Sequence, residues 1–125
     1  MALPSLVGAG SYWGIAVALR SMSPDLDEKL CSRWPLIFAA RHDQANEPSI
    51  ARLGFECGDG WYGLIDGLCA ALQNETDQDH APQIVAMQVK EKFGSLRFRA
   101  WGASDRQRAM IRAANFISER INEDL

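Results

Sequence analysis

Cysteine and histidine side chains are the first residues of this chain that could do chemistry. Cys57 precedes a predicted helix, whose dipole could lower the pKa of its thiol and make it a nucleophile. The base would be His42 or His80, both in predicted loops, and nothing in the spacing places either one beside Cys57. The cysteines, with Cys31 and Cys69, include no C-x-x-C pair, so they indicate neither a zinc site nor a disulfide framework. We favour a structural role for Cys57 and keep a cysteine-dependent enzyme as an alternative.

Acidic and glycine residues around the same position raise two other possibilities, a metal site and an anion site. Glu56, Asp59 and Asp66 offer carboxylates, but their spacing is not that of an EF-hand. Asp59 is instead predicted to cap a helix, and Asp66 to face solvent. Gly58 and Gly60 could present backbone N–H groups to an anion, but the Lys-Ser/Thr pair of a phosphate-binding loop is missing. We predict no catalytic residue, no metal ion and no cofactor.

The clearest functional signal is an uneven distribution of charge. Residues 56–79 carry acidic side chains without any Lys or Arg, whereas the charged side chains of residues 90–112 are mostly basic. These faces could be solvated and attract each other within the fold, or they could dock a charged partner. The basic stretch could meet an acidic protein surface or, with its aromatic residues, a nucleic acid. The predicted partner-binding residues are the basic and aromatic set Lys90, Lys92, Arg97, Arg99 and Trp101 and the acidic set Glu75, Asp77 and Asp79.

The composition is that of one folded domain. Hydrophobic residues make up 47% of the 125 residues, enough for a core without metal or disulfide staples. The net charge of -3 gives the whole molecule no general attraction to nucleic acid or anionic membranes. Residues 1–22 are predicted to form an apolar arm that does not span a membrane, and residues 23–125 a single domain. The cysteine pattern and the absence of a basic signal region indicate the cytoplasm.

Three helices are predicted to position these residues. Ser23 and Pro24 form a start signal for a helix that ends at about Arg33. A central amphipathic helix runs from about residue 60 to residue 74, and the acidic stretch 75–82 after it is predicted to be an exposed loop. Ser104 and Gln107 form a capping box for a last helix over about 105–122. The apolar stripe of the central helix consists of Trp61, Leu64, Ile65, Leu68, Cys69 and Leu72.

Two alternating segments predict a β-hairpin over about 84–101. In the first, Val85, Met87 and Val89 are predicted to share one face. In the second, the apolar residues Leu96, Phe98 and Ala100 share the inner face, and Arg97, Arg99 and Trp101 share the outer face. A lone hairpin is marginally stable, so its apolar face must rest on the helices. The sequence thus predicts an α+β fold, in which N-terminal helices and the central helix pack on the hairpin and the C-terminal helix.

Two long motifs stand out in the sequence. One reads GFECGDGWY from Gly54 to Tyr62, and the other reads QVKEKFGSLRF from Gln88 to Phe98. Together with WPLIF from Trp34 to Phe38, they resemble a family of uncharacterised small proteins that is frequent in phages and bacterial mobile elements. The resemblance covers roughly residues 30–121. Members often continue into a paired-cysteine segment that looks zinc-binding, and these 125 residues contain no such segment, so the resemblance carries no zinc site to them.

The resemblance implies a setting rather than an established activity. Many small phage proteins block a bacterial defence complex, so it implies a non-catalytic protein that binds and inhibits a host protein or nucleoprotein complex. The most concrete expectation is an anti-CRISPR-like inhibitor that acts by steric occlusion through its charged face. The alternative is a nucleic-acid-binding accessory protein that uses the basic hairpin, and it predicts binding to bare DNA or RNA that weakens steeply with salt.

Overall fold

A computed structural model describes residues 21–42 and 54–125, and these residues form an α+β fold. Its elements in chain order are α1 (Pro24–Arg33), a 3-10 turn (Ala39–His42), β1 (Phe55–Glu56), a second 3-10 turn (Asp59–Trp61), α2 (Tyr62–Asp79), β2 (Val85–Lys92), β3 (Ser95–Trp101) and α3 (Asp105–Ser118). Residues 1–20 of the predicted arm lie outside the described residues, and Met22 is buried in the core. Among the described helices, none has the length and apolar character needed to cross a membrane.

The start of α1 follows the sequence signal, but neither of the predicted side-chain caps, Ser23 on α1 and Asp59 on the central helix, is formed. Pro24 occupies the first turn of α1, as predicted. The Ser23 side chain makes no capping hydrogen bond; its backbone N–H donates to Asp59 Oδ1 at 2.7 Å. Asp59 was predicted to cap the central helix, and instead it ties the beginning of α1 to the loop before α2. The Asp59 carboxylate thus accepts from the distant Ser23 N–H rather than from an N–H in the first turn of α2, as the spacing had suggested.

The central helix α2 has the predicted stripe and is longer than predicted. Of the six stripe residues, Leu64 is half-buried and the other five are buried: Trp61, Ile65, Leu68, Cys69 and Leu72. The prediction of an exposed loop after residue 74 is wrong, because the helix continues to Asp79 and ends at His80 in the left-handed conformation. Glu75 explains the extension, since its carboxylate is buried and accepts a hydrogen bond from Arg106 Nε at 2.8 Å. The buried face of α2 therefore extends one turn beyond Leu72, to the polar residue Glu75.

Within the described residues, the sheet has three strands in the order β1-β2-β3. The predicted hairpin forms the antiparallel pair β2–β3, and the two-residue β1 adds to β2 in parallel, with Phe55 opposite Val89. Phe93 and Gly94 connect the hairpin, and both have positive φ values of 55° and 81°. Positive φ at both central positions is what a type I′ turn requires. The third strand was not predicted.

A β-bulge in β2 overturns the predicted alternation of its side chains. The register shifts between Ala86 and Gln88, so Met87 is an extra residue on this strand. Ala86 and Val89 are buried, whereas Val85 is half-buried and pairs with the exposed Trp101. The prediction that Val85, Met87 and Val89 share one face is therefore wrong, because one inserted residue reverses the pattern across the bulge. The predicted alternation of β3 is confirmed: Leu96 and Phe98 are buried, and Arg97 and Arg99 are exposed.

Helix α3 packs on β3 and on α2, and buried residues of both helices and of the sheet form one core. The predicted capping box of α3 is confirmed, and the side chain of Gln107 also donates from Nε2 to the Leu72 carbonyl at 3.0 Å. The helix ends at Ser118 rather than near residue 122. Ser118 Oγ accepts the Leu96 N–H at 2.8 Å, which fastens the helix end to β3. The opposite side of the sheet, called the outer face below, is turned away from these helices.

Candidate partner-binding surface

The basic and aromatic residues predicted to bind a partner lie together on the outer face of the sheet. Strand pairing places Lys90 opposite Arg97 and Gln88 opposite Arg99, so their side chains share this face. Lys90 and Gln88 are half-buried, whereas Arg97 and Arg99 are exposed, as are Lys92 and Trp101. We call this set the basic face; its members are Lys90, Lys92, Arg97, Arg99 and Trp101.

The positive charge of the basic face is largely uncompensated. Among the described residues, none of its four basic side chains forms an ion pair with a carboxylate. Arg99 Nη1 donates to the neutral Gln88 Oε1 at 3.4 Å, and Gln88 Nε2 donates to Glu56 Oε1 at 3.5 Å. Glu56 is also the residue opposite Lys90 in the parallel pair. One carboxylate at the edge of the face therefore stands against four cationic side chains.

Exposed aromatic rings lie at the two ends of the basic face. Trp101 is 68% exposed at the end of β3, and Phe93 is 89% exposed at the hairpin turn. The Lys92 ammonium lies 5.7 Å from the centre of the Phe93 ring. The left-handed conformation of Phe93 is strained for a bulky residue, because Asn, Asp or Gly fills this turn position at lower cost. The hairpin turn therefore holds an exposed ring at a conformational cost.

The predicted acidic set does not form one surface. Glu75 is buried and pairs with Arg106, and this ion pair joins α2 to α3. Asp77 and Asp79 are exposed in the last turn of α2, where Asp77 Oδ1 accepts from Gln73 Nε2 at 3.1 Å. The Glu75–Arg106 pair is an attraction between the acidic and basic parts of the chain, as one of the two interpretations supposed. The structure thus separates Glu75 from the other two carboxylates.

The motif from Gly54 to Tyr62 binds the C-terminal segment of the chain, residues 121–125. The Gly60 N–H donates to the Glu123 carbonyl at 2.7 Å, and the Gly58 N–H donates to Glu123 Oε1 at 2.9 Å. Trp61 Nε1 donates to the Ile121 carbonyl at 2.7 Å. A Cβ atom at Gly60 would lie 2.1 Å from the Asn122 carbonyl oxygen, so only glycine permits this approach. The N–H groups considered for anion binding are therefore used within the fold.

Cys57 lies in this same loop and is fully buried. Burial raises the pKa of its thiol from 9.0 to about 12, and the nearby carboxylates of Glu123 and Asp59 act in the same direction. The alternative in which a helix dipole lowers this pKa is therefore not supported, and the favoured structural role is. His80 is exposed at the end of α2, and the side chain of His42 lies outside the described residues. A buried neutral thiol is a structural cysteine rather than an activated nucleophile.

Asp66, the other carboxylate considered for a metal, has protein partners. It accepts from Trp34 Nε1 at 2.8 Å and forms an ion pair with Arg33 Nε at 3.0 Å. The prediction that Asp66 faces solvent is wrong, because its side chain is only 22% exposed. Within residues 21–42 and 54–125, no group of three or more His, Cys, Asp or Glu side chains is placed to hold a metal ion.

Comparison with known proteins gives no match: no family model, no characterised protein and no solved structure matches the chain. The resemblance of the two long motifs to phage proteins stays a prediction. The functional argument therefore rests on the basic face and on the residues around it.

Proposed function

We propose that this chain is a non-catalytic binding protein whose basic face docks on an acidic surface of a macromolecular partner. The observation that carries the proposal is the uncompensated charge of the sheet: four cationic side chains and two exposed aromatic rings on a face that α2 and α3 leave uncovered. Arginine and tryptophan are the residues most often found to dominate binding energy at protein interfaces. The face therefore has the composition of an interface centre and not only that of a solvated surface.

The rigidity of the sheet supports this use. Arg97 and Arg99 project from a strand that is paired on one side and fastened to α3 by the Leu96–Ser118 bond. Side chains on a fixed strand lose less freedom on binding than the same side chains on a loop. Like charges held at strand spacing also create a field that speeds encounter with an acidic partner. The protein would act by covering the surface on which it docks.

The partner in this proposal is a host protein or nucleoprotein complex, and the effect is inhibition of a bacterial defence complex in the anti-CRISPR manner. The resemblance of the Gly54–Tyr62 and Gln88–Phe98 motifs to small phage proteins is the support for this finer statement. The positive charge of the basic face favours one kind of docking site on such a complex. A basic face suits an acidic subunit interface, because the nucleic-acid groove of such a complex is itself positively charged.

Capture from bacterial lysate with charge-reversed variants tests the proposal. The double variant Arg97→Glu and Arg99→Glu is compared with wild type, and captured proteins are identified by mass spectrometry. A control with the same change of net charge, Lys29→Glu with Arg120→Glu, alters exposed residues that are not part of the basic face. We expect wild type and control to retain one partner that the double variant binds roughly tenfold or more weakly. Equal capture by all three proteins would overturn the assignment of this face.

A second candidate function, nucleic-acid binding, is favoured by the aromatic rings at the ends of the basic face. Phe93 and Trp101 could stack on bases while Lys92 and Arg97 contact phosphates. Such binding would show as a gel shift of bare single-stranded DNA or RNA that weakens steeply with added salt. A salt-dependent shift lost in the Arg97→Glu and Arg99→Glu variant would establish this function instead. Absence of any shift at low salt would remove it.

A further inference from the structure

Among the described residues, β3 is an edge strand of the sheet, with β2 as its neighbour on one side only. In an antiparallel pair, alternate residues bond the neighbouring strand and the intervening ones point to the other side. The backbone N–H of Leu96 points away from β2, since it donates to Ser118 Oγ. Phe98 and Ala100 follow at spacings of two and four residues and point the same way. No other described residue forms a backbone hydrogen bond with this outer edge. The backbone N–H and C=O groups of Phe98 and Ala100, beyond the Leu96 N–H that Ser118 occupies, are therefore available to a further strand.

A groove of about 360 Å³ lies beside this edge, between β3 and α3. Its lining includes the apolar residues Phe98, Ala100 and Ile111 and the basic residues Arg108 and Arg112. Arg108 is held in place, because Nη1 donates to the Ala103 carbonyl at 2.7 Å and Nη2 pairs with the Asp105 carboxylate. Arg112 is exposed and makes no ion pair among the described residues. The groove thus combines an apolar floor with one free and one fixed guanidinium.

We propose that the β3 edge and this groove together bind one extended segment of an acidic protein partner, which adds to the sheet as a fourth strand. Alternate side chains of an added strand point to opposite faces. Apolar side chains of the segment would enter the groove beside Phe98 and Ile111, and acidic ones would lie beside Arg97 and Arg99 on the outer face. Main-chain hydrogen bonds would give affinity and the alternation would give specificity. This inference rests on the proposed function and extends it to the kind of segment recognised.

The charge of Arg97 and Arg99 favours an acidic segment over a second copy of the chain as the added strand. If two β3 strands paired edge to edge in antiparallel fashion, Arg97 and Arg99 of both copies would lie side by side on the outer face. Like charges directly opposite in a sheet are destabilising, and edge strands use such charges to avoid self-association. An acidic segment instead brings carboxylates to the same positions. The edge therefore disfavours its own copy and favours a strand of opposite charge.

Short synthetic peptides test the strand addition directly. The probe is a labelled peptide that alternates glutamate with valine, and its affinity is measured by fluorescence anisotropy. Two further peptides carry N-methyl groups on the valines only or on the glutamates only. In an added strand one alternate set of N–H groups faces β3 and the other faces solvent. We expect one methylated peptide to bind at least roughly tenfold more weakly than the other. Equal affinity of the two methylated peptides would overturn the proposal, because charge attraction alone does not distinguish them.

Variants locate the peptide on the groove. Arg112→Glu should weaken binding of the alternating peptide roughly tenfold, whereas Arg120→Glu, on an exposed residue outside the groove, should leave it unchanged. Protection of the Phe98 and Ala100 amides from hydrogen exchange in the complex gives a second readout that does not depend on charge. Binding without this protection would place the peptide elsewhere and overturn the inference.

The outcome separates this inference from the proposed function. If the methylated peptides bind equally while Arg97→Glu with Arg99→Glu still abolishes capture of the partner, the basic face is the docking site and the strand addition is wrong. If sedimentation shows that the free chain dimerises and the dimer excludes the peptide, the edge belongs to a second copy and the proposal of an acidic segment is overturned. If the peptide binds as expected but capture is unchanged by the basic-face variant, the edge is used without the basic face.

Discussion

The two long motifs of this chain have opposite fates in the fold. The Gly54–Tyr62 motif is turned inward: two of its backbone N–H groups and its indole N–H bind residues 121–125, and its thiol is buried. The Gln88–Phe98 motif is turned outward, with three basic side chains on the basic face and an exposed ring at the turn. In the sequence alone, both motifs look equally informative about function. The first motif uses most of its polar groups within the fold and contributes only Glu56 to the edge of the basic face, so motif length alone does not indicate which side chains are exposed.

A glycine substitution in the inward motif should give the largest effect. Gly60→Ala places a Cβ atom 2.1 Å from the Asn122 carbonyl oxygen, so the C-terminal segment must move and lose its bonds to the loop. We expect a loss of about 3 kcal/mol in the free energy of unfolding, measured by chemical denaturation. Gly67→Ala is the control, because nothing lies within 4 Å of its added Cβ in α2, and it should stabilise by about 0.5–1 kcal/mol. Similar effects at the two sites would contradict the close approach.

The buried thiol of the inward motif should make stability fall at alkaline pH. The pKa of Cys57 is raised from 9.0 to about 12, so the unfolded chain releases this proton before the folded chain does. The contribution is complete below pH 9.0 and is lost as the pH rises toward about 12, by about 1.4 kcal/mol per pH unit. Cys57→Ala should have a lower stability at neutral pH and a correspondingly shallower alkaline slope. Parallel stability curves for the two proteins would show that the folded thiol titrates normally.

A substitution in the outward motif should raise the free energy of unfolding slightly, whereas the glycine substitution in the inward motif lowers it. Phe93→Asn places a residue suited to the left-handed conformation at the hairpin turn and should stabilise the fold by about 0.5–1 kcal/mol. The same variant should weaken partner capture, because it removes the exposed ring. Phe93→Leu is the control, since it removes the ring and keeps the conformational strain. Thermal denaturation that ranks the two variants equally would contradict a role for strain at this turn.

Local signals in the sequence were sufficient for much of the fold. Proline in the first turn of α1, the stripe of α2, the capping box at Ser104 and the alternation of β3 each depend on neighbours a few residues apart. The exposed positions of Arg97, Arg99 and Trp101 followed from that alternation. The basic face could therefore be predicted from the sequence alone.

Long-range contacts account for what the sequence did not show. The two-residue β1 exists because it pairs with β2 across more than thirty positions, and two residues carry no periodic signal. Glu75 looks like a loop residue until Arg106 is known to lie beside it. The bulge at Met87 is invisible to any rule that assumes strict alternation. The groove beside β3 arises from α3 packing along an edge strand, which no local pattern specifies.

The hydrogen bond between Gly60 and Glu123 has a kinetic consequence. It connects the two ends of a chain stretch that contains α2, the hairpin and α3, so it closes one of the longest loops in the molecule. Contacts of such high sequence separation slow folding, because the loop must be ordered before they can form. During synthesis the turn around Gly60 cannot form this hydrogen bond until residue 123 has left the ribosome. Newly made chains should therefore pass through a stage in which Trp61 is accessible to chaperones and proteases.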